Sequence, residues 1–312
     1  MLSDQSASAG RLLDAWLRLP PNYRGAIWMI GAALGFTCNS ALVKALGNAD
    51  FHPFQLAFLR TALVLQLLLP LAWRAGADRL RSRQPGIHVL RGLVGAPAVV
   101  AGFTALTLIP LADFMALTFT TPLFIIVMAV LVLGEQVRWR RWSATAIGFL
   151  GVLIMIRPGS GSLEVGALCT LGMALGIAGA AVLVKRLPPE EPAFSALFWF
   201  TLSSTLLTAP LAAFAWRAPT AEEWLWLMVM SGLGALAQFL IIQAYKVGEA
   251  TFVAPFDYSK LLIAGVIGFL AFGELPDAWS LIGAAVIIAA TLYIARREAA
   301  IGRVKPPSEV AG

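Results

Sequence analysis

Asp257 and Lys260 stand three residues apart inside an otherwise apolar run from 250 to 272. If that run is helical, the spacing puts both side chains on one face, within pairing reach. A rise of about 1.5 Å per residue from Ala250 sets them roughly 10–15 Å along the run, close to mid-depth in a bilayer. A charge at that depth is costly and is kept where it faces a protein interior or a watery cavity. Two chemistries fit. The two residues form a neutralising structural pair, or they contact a substrate, with Lys260 for a carboxylate or phosphate and Asp257 for an amine or a coupling proton. Pro255, one turn earlier, removes a backbone hydrogen bond beside them. Tyr258 and, in the first apolar run, Phe36 offer aromatic surface to a cavity, although core packing explains such residues equally well.

A second pair of charges is less local. Arg60 falls about six residues into the second apolar run, and Asp113 near the start of the fourth. Their similar depth favours a structural ion pair, with a gate that breaks and reforms as the alternative. Thr118 and Thr121, in the fourth apolar run, hold the places that Asp257 and Lys260 hold in the ninth, and are polar but neutral. Catalytic and metal chemistry find no support. His52 and His88 fall in loops on opposite sides, and Cys38 and Cys169 fall in different apolar runs, so neither a metal site nor a disulfide is expected. The Gly-rich stretch 157–162 lacks the preceding strand and the Lys-Ser/Thr ending of a phosphate loop. No cofactor is expected.

The elements that must hold these residues are membrane spans. Of 312 residues, 59% are hydrophobic and 13% charged, and the mean hydropathy is +0.80. Apolar runs occupy 25–46, 54–73, 92–109, 111–133, 139–156, 165–184, 193–215, 224–245, 250–272 and 276–295. A spanning helix needs about 17–25 such residues, and these runs lack the alternation of barrel strands. The expected fold is therefore an all-α polytopic membrane protein with ten transmembrane helices. The net charge of +6 is distributed accordingly. With the N-terminus inside, Arg157 and Arg217 are the only basic residues in outer segments, and Lys44, Arg60 and Lys260 fall within spans; the other 18 of 23 Lys and Arg are cytoplasmic. That bias places both termini in the cytoplasm and argues against nucleic-acid binding. Residues 1–22 and 298–312 read as cytoplasmic tails, the first without a cleavable signal.

The spans repeat. Gly31, Ala33, Leu34, Gly35, Leu42, Val43, Lys44 and Leu46 recur in the same order and at the same spacing as Gly172, Ala174, Leu175, Gly176, Leu183, Val184, Lys185 and Leu187. Five spans per half is an odd number, so halves at 23–157 and 163–297 enter the membrane in opposite senses, the inverted repeat from which carriers are built. Gly31 with Gly35, and Gly172 with Gly176, form small-xxx-small pairs suited to close helix packing. Lys44 and Lys185, at span ends, are expected to snorkel to the interface.

Leu131, Gly134 and Glu135 match Leu270, Gly273 and Glu274, closing the fourth span of each half. With Phe58-Leu59-Arg60 in the second span and Pro255-Phe256-Asp257-Tyr258-Ser259 in the ninth, this pattern resembles the EamA-type carriers of the drug/metabolite transporter superfamily. The resemblance covers roughly 23–297. It implies ten helices in two five-helix repeats and transport of small metabolites, with amino-acid and metallophore exporters and importers of vitamins or S-adenosylmethionine among its members. The second half lacks a counterpart of Arg60. The expected function is secondary transport of an amino-acid-like, zwitterionic or carboxylate-bearing metabolite across an inner membrane, with riboflavin or S-adenosylmethionine uptake as the alternative. The site is expected between helices one, three and four and their counterparts six, eight and nine. A membrane-embedded enzyme or a non-transporting receptor is the rival class.

Overall fold

The computed structural model describes residues 19–76, 80, 82, 84–134, 139–157, 165–188, 191, 193–248 and 253–302. Among these there is no strand. The chain runs as α1 (Pro21–Asn48), α2 (Pro53–Ala75), α3 (Pro85–Leu108), α4 (Leu111–Thr118), α5 (Thr121–Leu133), α6 (Trp139–Ile156), α7 (Val165–Val184), α8 (Ala193–Phe214) and α9 (Ala221–Val247). A 3-10 turn (Ala254–Tyr258), α10 (Ser259–Phe272) and α11 (Ala278–Gly302) complete it. Seven helices are long and apolar enough to cross a membrane, counting Leu111–Leu133 as one, and Trp142–Ile156 and Ala278–Ala290 are shorter apolar helices. The protein is a multi-pass membrane protein.

Helix starts follow prolines, whose fixed φ and missing N–H suit the first turn: Pro21, Pro53 and Pro85 open α1, α2 and α3. The third helix thus begins well before its apolar run. His88, expected in a loop, instead lies in its first turn and is 2% exposed. Leucine-rich spans end where Gly134 and Gly273 turn left-handed, at φ 67° and 66°. A Cβ is unfavourable in that conformation, which is the physical content of the glycine in both Gly-Glu pairs. Glu135 lies outside the described residues.

Two spans are broken at matching positions. The fourth breaks between α4 and α5, where Thr118, Thr120 and Thr121 each hydrogen-bond a carbonyl three residues back and Pro122 follows. The ninth changes from 3-10 to α between Tyr258 and Ser259, at the equivalent point of the second half. Such interruptions are tolerated at membrane depth where they line a cavity. The most extensive helix pairings are α3 with α7, α1 with α9, α6 with α11 and α2 with α8.

Side-chain packing qualifies the glycine pairs. A Cβ at Gly176 would stand 2.5 Å from Ala98 Cβ, and one at Gly35 3.0 Å from Ala237 Cβ, so these two mark close approach. At Gly31 the nearest atom would be 3.5 Å away, an ordinary contact. At Gly172 no neighbour lies within 4 Å, so the packing role expected of Gly172 is corrected: it faces open space.

Candidate functional site

A cavity of ≈ 250 Å³ lies among the helices, bounded by the break in the fourth span. α1 contributes Phe36, Asn39, Ser40 and Val43, and α2 contributes Arg60. The wall continues through Gly102 and Phe103 of α3, Thr118 and Thr121 at the break, Met173 and Ile177 of α7, and Lys260 of α10. Of the expected helices, the eighth span supplies no lining residue; the second does instead, through Arg60.

The structure brings Phe36, Thr118, Thr121, Lys260 and Arg60 to one cavity. Asp257 stands behind Lys260, with Lys260 Nζ 2.5 Å from Asp257 Oδ1, the i,i+3 pair read from the sequence. Lys260 Nζ also lies 5.0 Å from the centre of the Phe36 ring, close enough for cation–π attraction. The ammonium is thus held by an acid in the 3-10 turn that precedes its helix and by an aromatic face from α1. Tyr258 is not on the wall; its ring packs against Phe119 at 4.7 Å and joins the main core.

Arg60 and Asp113 are not brought together. The Arg60 guanidinium lies 5.7 Å from the Phe103 ring in the central cavity. Asp113 lines a separate outer pocket with Arg157, Asp277 and Ser280. The expected ion pair is therefore corrected. Similar depth fixes one coordinate, while the azimuth of each helix carries the two side chains to different pockets.

Lys44 departs from expectation as well. It does not snorkel but is 6% exposed, with Nζ 2.5 Å from Glu274 Oε1. Nζ also donates to Ile109 O at 2.6 Å, and the Leu111 N–H donates to Glu274 Oε2 at 2.8 Å. The αL turn at Gly273 sets Glu274 in place, its N–H bonding back to Gly268 O at 3.0 Å. Glu274 thereby ties α1, the α3–α4 turn and α10 into one knot. Two further links occur at the same end. Arg217 pairs with Glu223 at 2.6 Å, donates to Ala49 O and accepts Gln55 Nε2 on its carbonyl. Arg157 pairs with Asp277.

At the opposite end a polar cluster joins α3 to the segment before α8. His88 Nε2 and Glu191 Oε1 are 2.5 Å apart, with side chains 2% and 4% exposed. Ser82 Oγ donates to Glu191, and Arg91 donates to Ala196 O at 3.2 Å. The spacing of these residues gave no signal, because their partners lie 103–109 positions away. Among the described residues no group of three or more His, Cys, Asp or Glu is placed to hold a metal.

The two Cys thiols are free. The cavity has mixed apolar and charged walls, and among its described lining residues no nucleophile–base pair is assembled.

Comparison with known proteins agrees. Against the S-adenosylmethionine uptake transporter of Rickettsia prowazekii the chain is 30% identical over 270 residues, 86% of this chain and 92% of that one. A riboflavin transporter of Brucella anthropi is 35% identical over 282 residues, 88% and 99% of the two chains. The pseudopaline exporter CntI of Pseudomonas aeruginosa is 30% identical over 274 residues, 87% and 96%. A crystal structure at 21% identity superposes with a TM-score of 0.53, covering 86% of this chain and 98% of the other, and so shares the fold. The model of the EamA-like transporter family matches twice, at residues 23–157 and 164–296. The chain belongs to the EamA-like transporter family and is a carrier rather than an enzyme.

Proposed function

We propose that the protein is a secondary carrier of the inner membrane that moves a small organic metabolite, amino-acid-like and zwitterionic or carboxylate-bearing, by alternating access. The observation that carries this reading is the cavity at the two helix breaks, with Lys260 on its wall and Asp257 paired to Lys260 behind it. A carboxylate-bearing solute meets the cationic side chains Arg60 and Lys260 there, and the free ends of interrupted helices add partial charge. Asp257 is the carboxylate proposed to carry a coupling proton.

The two copies of the family model support repeats at 23–157 and 163–297, and their five spans each support the inverted arrangement. Under that symmetry the pairing of α3 with α7 exchanges with that of α1 with α9, while α6–α11 and α2–α8 map onto themselves. The basic residues support cytoplasmic termini, so the end bearing Lys44 and Glu274 is read as periplasmic. There α4 packs on α10, whereas among the described residues α5 makes no comparable contact with the 3-10 turn at the other end. We read this as a carrier closed outside. The Lys44–Glu274, Arg217 and Arg157–Asp277 links are its outer latch, in place of an Arg60–Asp113 gate.

Riboflavin uptake is the second reading, favoured by a relative of that name and by Phe36, Phe103 and Phe114 on the cavity wall. The test is flux into proteoliposomes of labelled S-adenosylmethionine, riboflavin and an amino-acid mixture. Saturable accumulation of an amino-acid-like compound is expected; saturable movement of riboflavin alone would establish the second reading, and conversion of a compound without flux would end both.

A further inference from the structure

We propose that Arg60 is the anion-binding residue of the central cavity, and that it takes the carboxylate of a monoanionic or zwitterionic solute. One reading of the sequence offers Lys260 to a carboxylate or phosphate, but the structure gives Lys260 an acid of its own at 2.5 Å. Four carboxylates near the helix ends are also engaged: Glu274 with Lys44, Asp277 with Arg157, Glu223 with Arg217 and Glu191 with His88. Among the described residues no carboxylate pairs with Arg60. Its guanidinium rests near the Phe103 ring, and a methyl on Gly234 behind it would stand 3.7 Å from Nε and Nη2.

The wall therefore carries one positive charge beyond the neutralised pair. An arginine at membrane depth does not lose its proton, and leaving it uncompensated is unfavourable. A solute carboxylate supplies the missing charge and matches the planar fork with two parallel hydrogen bonds. One excess charge suits a monoanionic group; a phosphate dianion would leave the cavity negative. Asn39 lies near the same glycine, Gly234, its Nδ2 donating to Met230 O at 2.5 Å. This inference rests on the reading of the cavity as a solute site.

The experiment measures ligand-dependent thermal stabilisation of the purified full chain in detergent. Paired probes differ only in the acid group: S-adenosylmethionine against its decarboxylated form, methionine against methioninamide, and inorganic phosphate as a separate anion. Wild type is expected to be stabilised by at least one carboxylate probe and not by its carboxylate-free partner. Arg60→Met is expected to lose about ten- to a hundredfold in affinity for that probe, with unliganded stability equal to or above wild type because an unpaired charge has been removed. Arg60→Lys, which keeps the charge but not the fork, retains part of the effect and guards against misfolding of the first variant. The proposal is overturned if no carboxylate probe stabilises wild type, if acid and amide act alike, if phosphate alone acts, or if Arg60→Met responds as wild type does. Selective binding without flux in proteoliposomes would leave the anion site standing and end the carrier reading of this cavity.

Discussion

Glu274→Gln isolates the charge at the outer knot. Glutamine still offers an oxygen to the Leu111 N–H but leaves Lys44 without its anion, at a position 6% exposed. At 2.5 Å and an effective dielectric of about 20, the pair's gross attraction is about 7 kcal/mol, much of it offset by desolvation. Removing one partner of a buried pair costs about 3–5 kcal/mol. Because the Glu274 side chain keeps 18% exposure, the lower end applies, about 3 kcal/mol, or roughly a hundredfold in the unfolding equilibrium. Lys44→Met strands an acid that retains the Leu111 N–H and some water, so its effect is smaller, about 2 kcal/mol. The double variant Lys44→Met/Glu274→Gln has no stranded charge and should recover most of the loss. Reversible unfolding in mixed detergent–SDS micelles, followed by tryptophan fluorescence, gives all four corners of the cycle. Losses that simply add in the double variant would refute the reasoning, because two groups in contact must couple. So would single variants as stable as wild type, within the scatter of an ordinary surface substitution.

Other outcomes follow from the same geometry. Gly176→Ala pushes a methyl to 2.5 Å from Ala98 Cβ and should destabilise by about 1–3 kcal/mol, whereas Gly172→Ala meets nothing and should stabilise by up to about 1 kcal/mol in the same titration. Gly273→Ala has room but keeps φ near +66°, so strain alone should remove about 1–2 kcal/mol. Asp257→Asn should leave solute exchange in proteoliposomes intact while abolishing accumulation driven by a pH gradient; undiminished pH-driven uptake would rule out a proton on Asp257. Breaking the Arg157–Asp277 link, which is about half exposed, should change stability by no more than about 1 kcal/mol, as measured with Asp277→Asn.

Hydropathy and local spacing made the spans, the Asp257–Lys260 pair and the interrupted ninth span legible, because each depends on neighbours in the chain. The partners of Lys44 and Arg60 were not. Lys44 meets an acid from the far half of the chain through the packing of α1 beside α10, and a hydropathy profile fixes depth but not the rotation of one helix against another. Arg60 and Asp113 share a depth and were therefore expected to meet; α2 turns the first toward Phe103 and α4 turns the second toward Arg157. His88 was expected in a loop, yet it lies in α3 with Arg91, both buried against the residues around α8. Thr118 and Thr121 were found because the repeat aligned them with Asp257 and Lys260, Lys260 because a charge at mid-depth stands out, and Phe36 as an aromatic in the first apolar run, whereas nothing distinguished wall from core for Tyr258.

The cavity draws its ionic groups unevenly from the two family-model matches: Arg60 comes from the first and the Asp257–Lys260 couple from the second, with threonines opposite. The halves are consequently not interchangeable. A homodimer assembled from two copies of residues 23–157 would hold two arginines, with threonines where the fused chain has its Asp257–Lys260 couple, and so a purely cationic set of side chains in place of the mixed one.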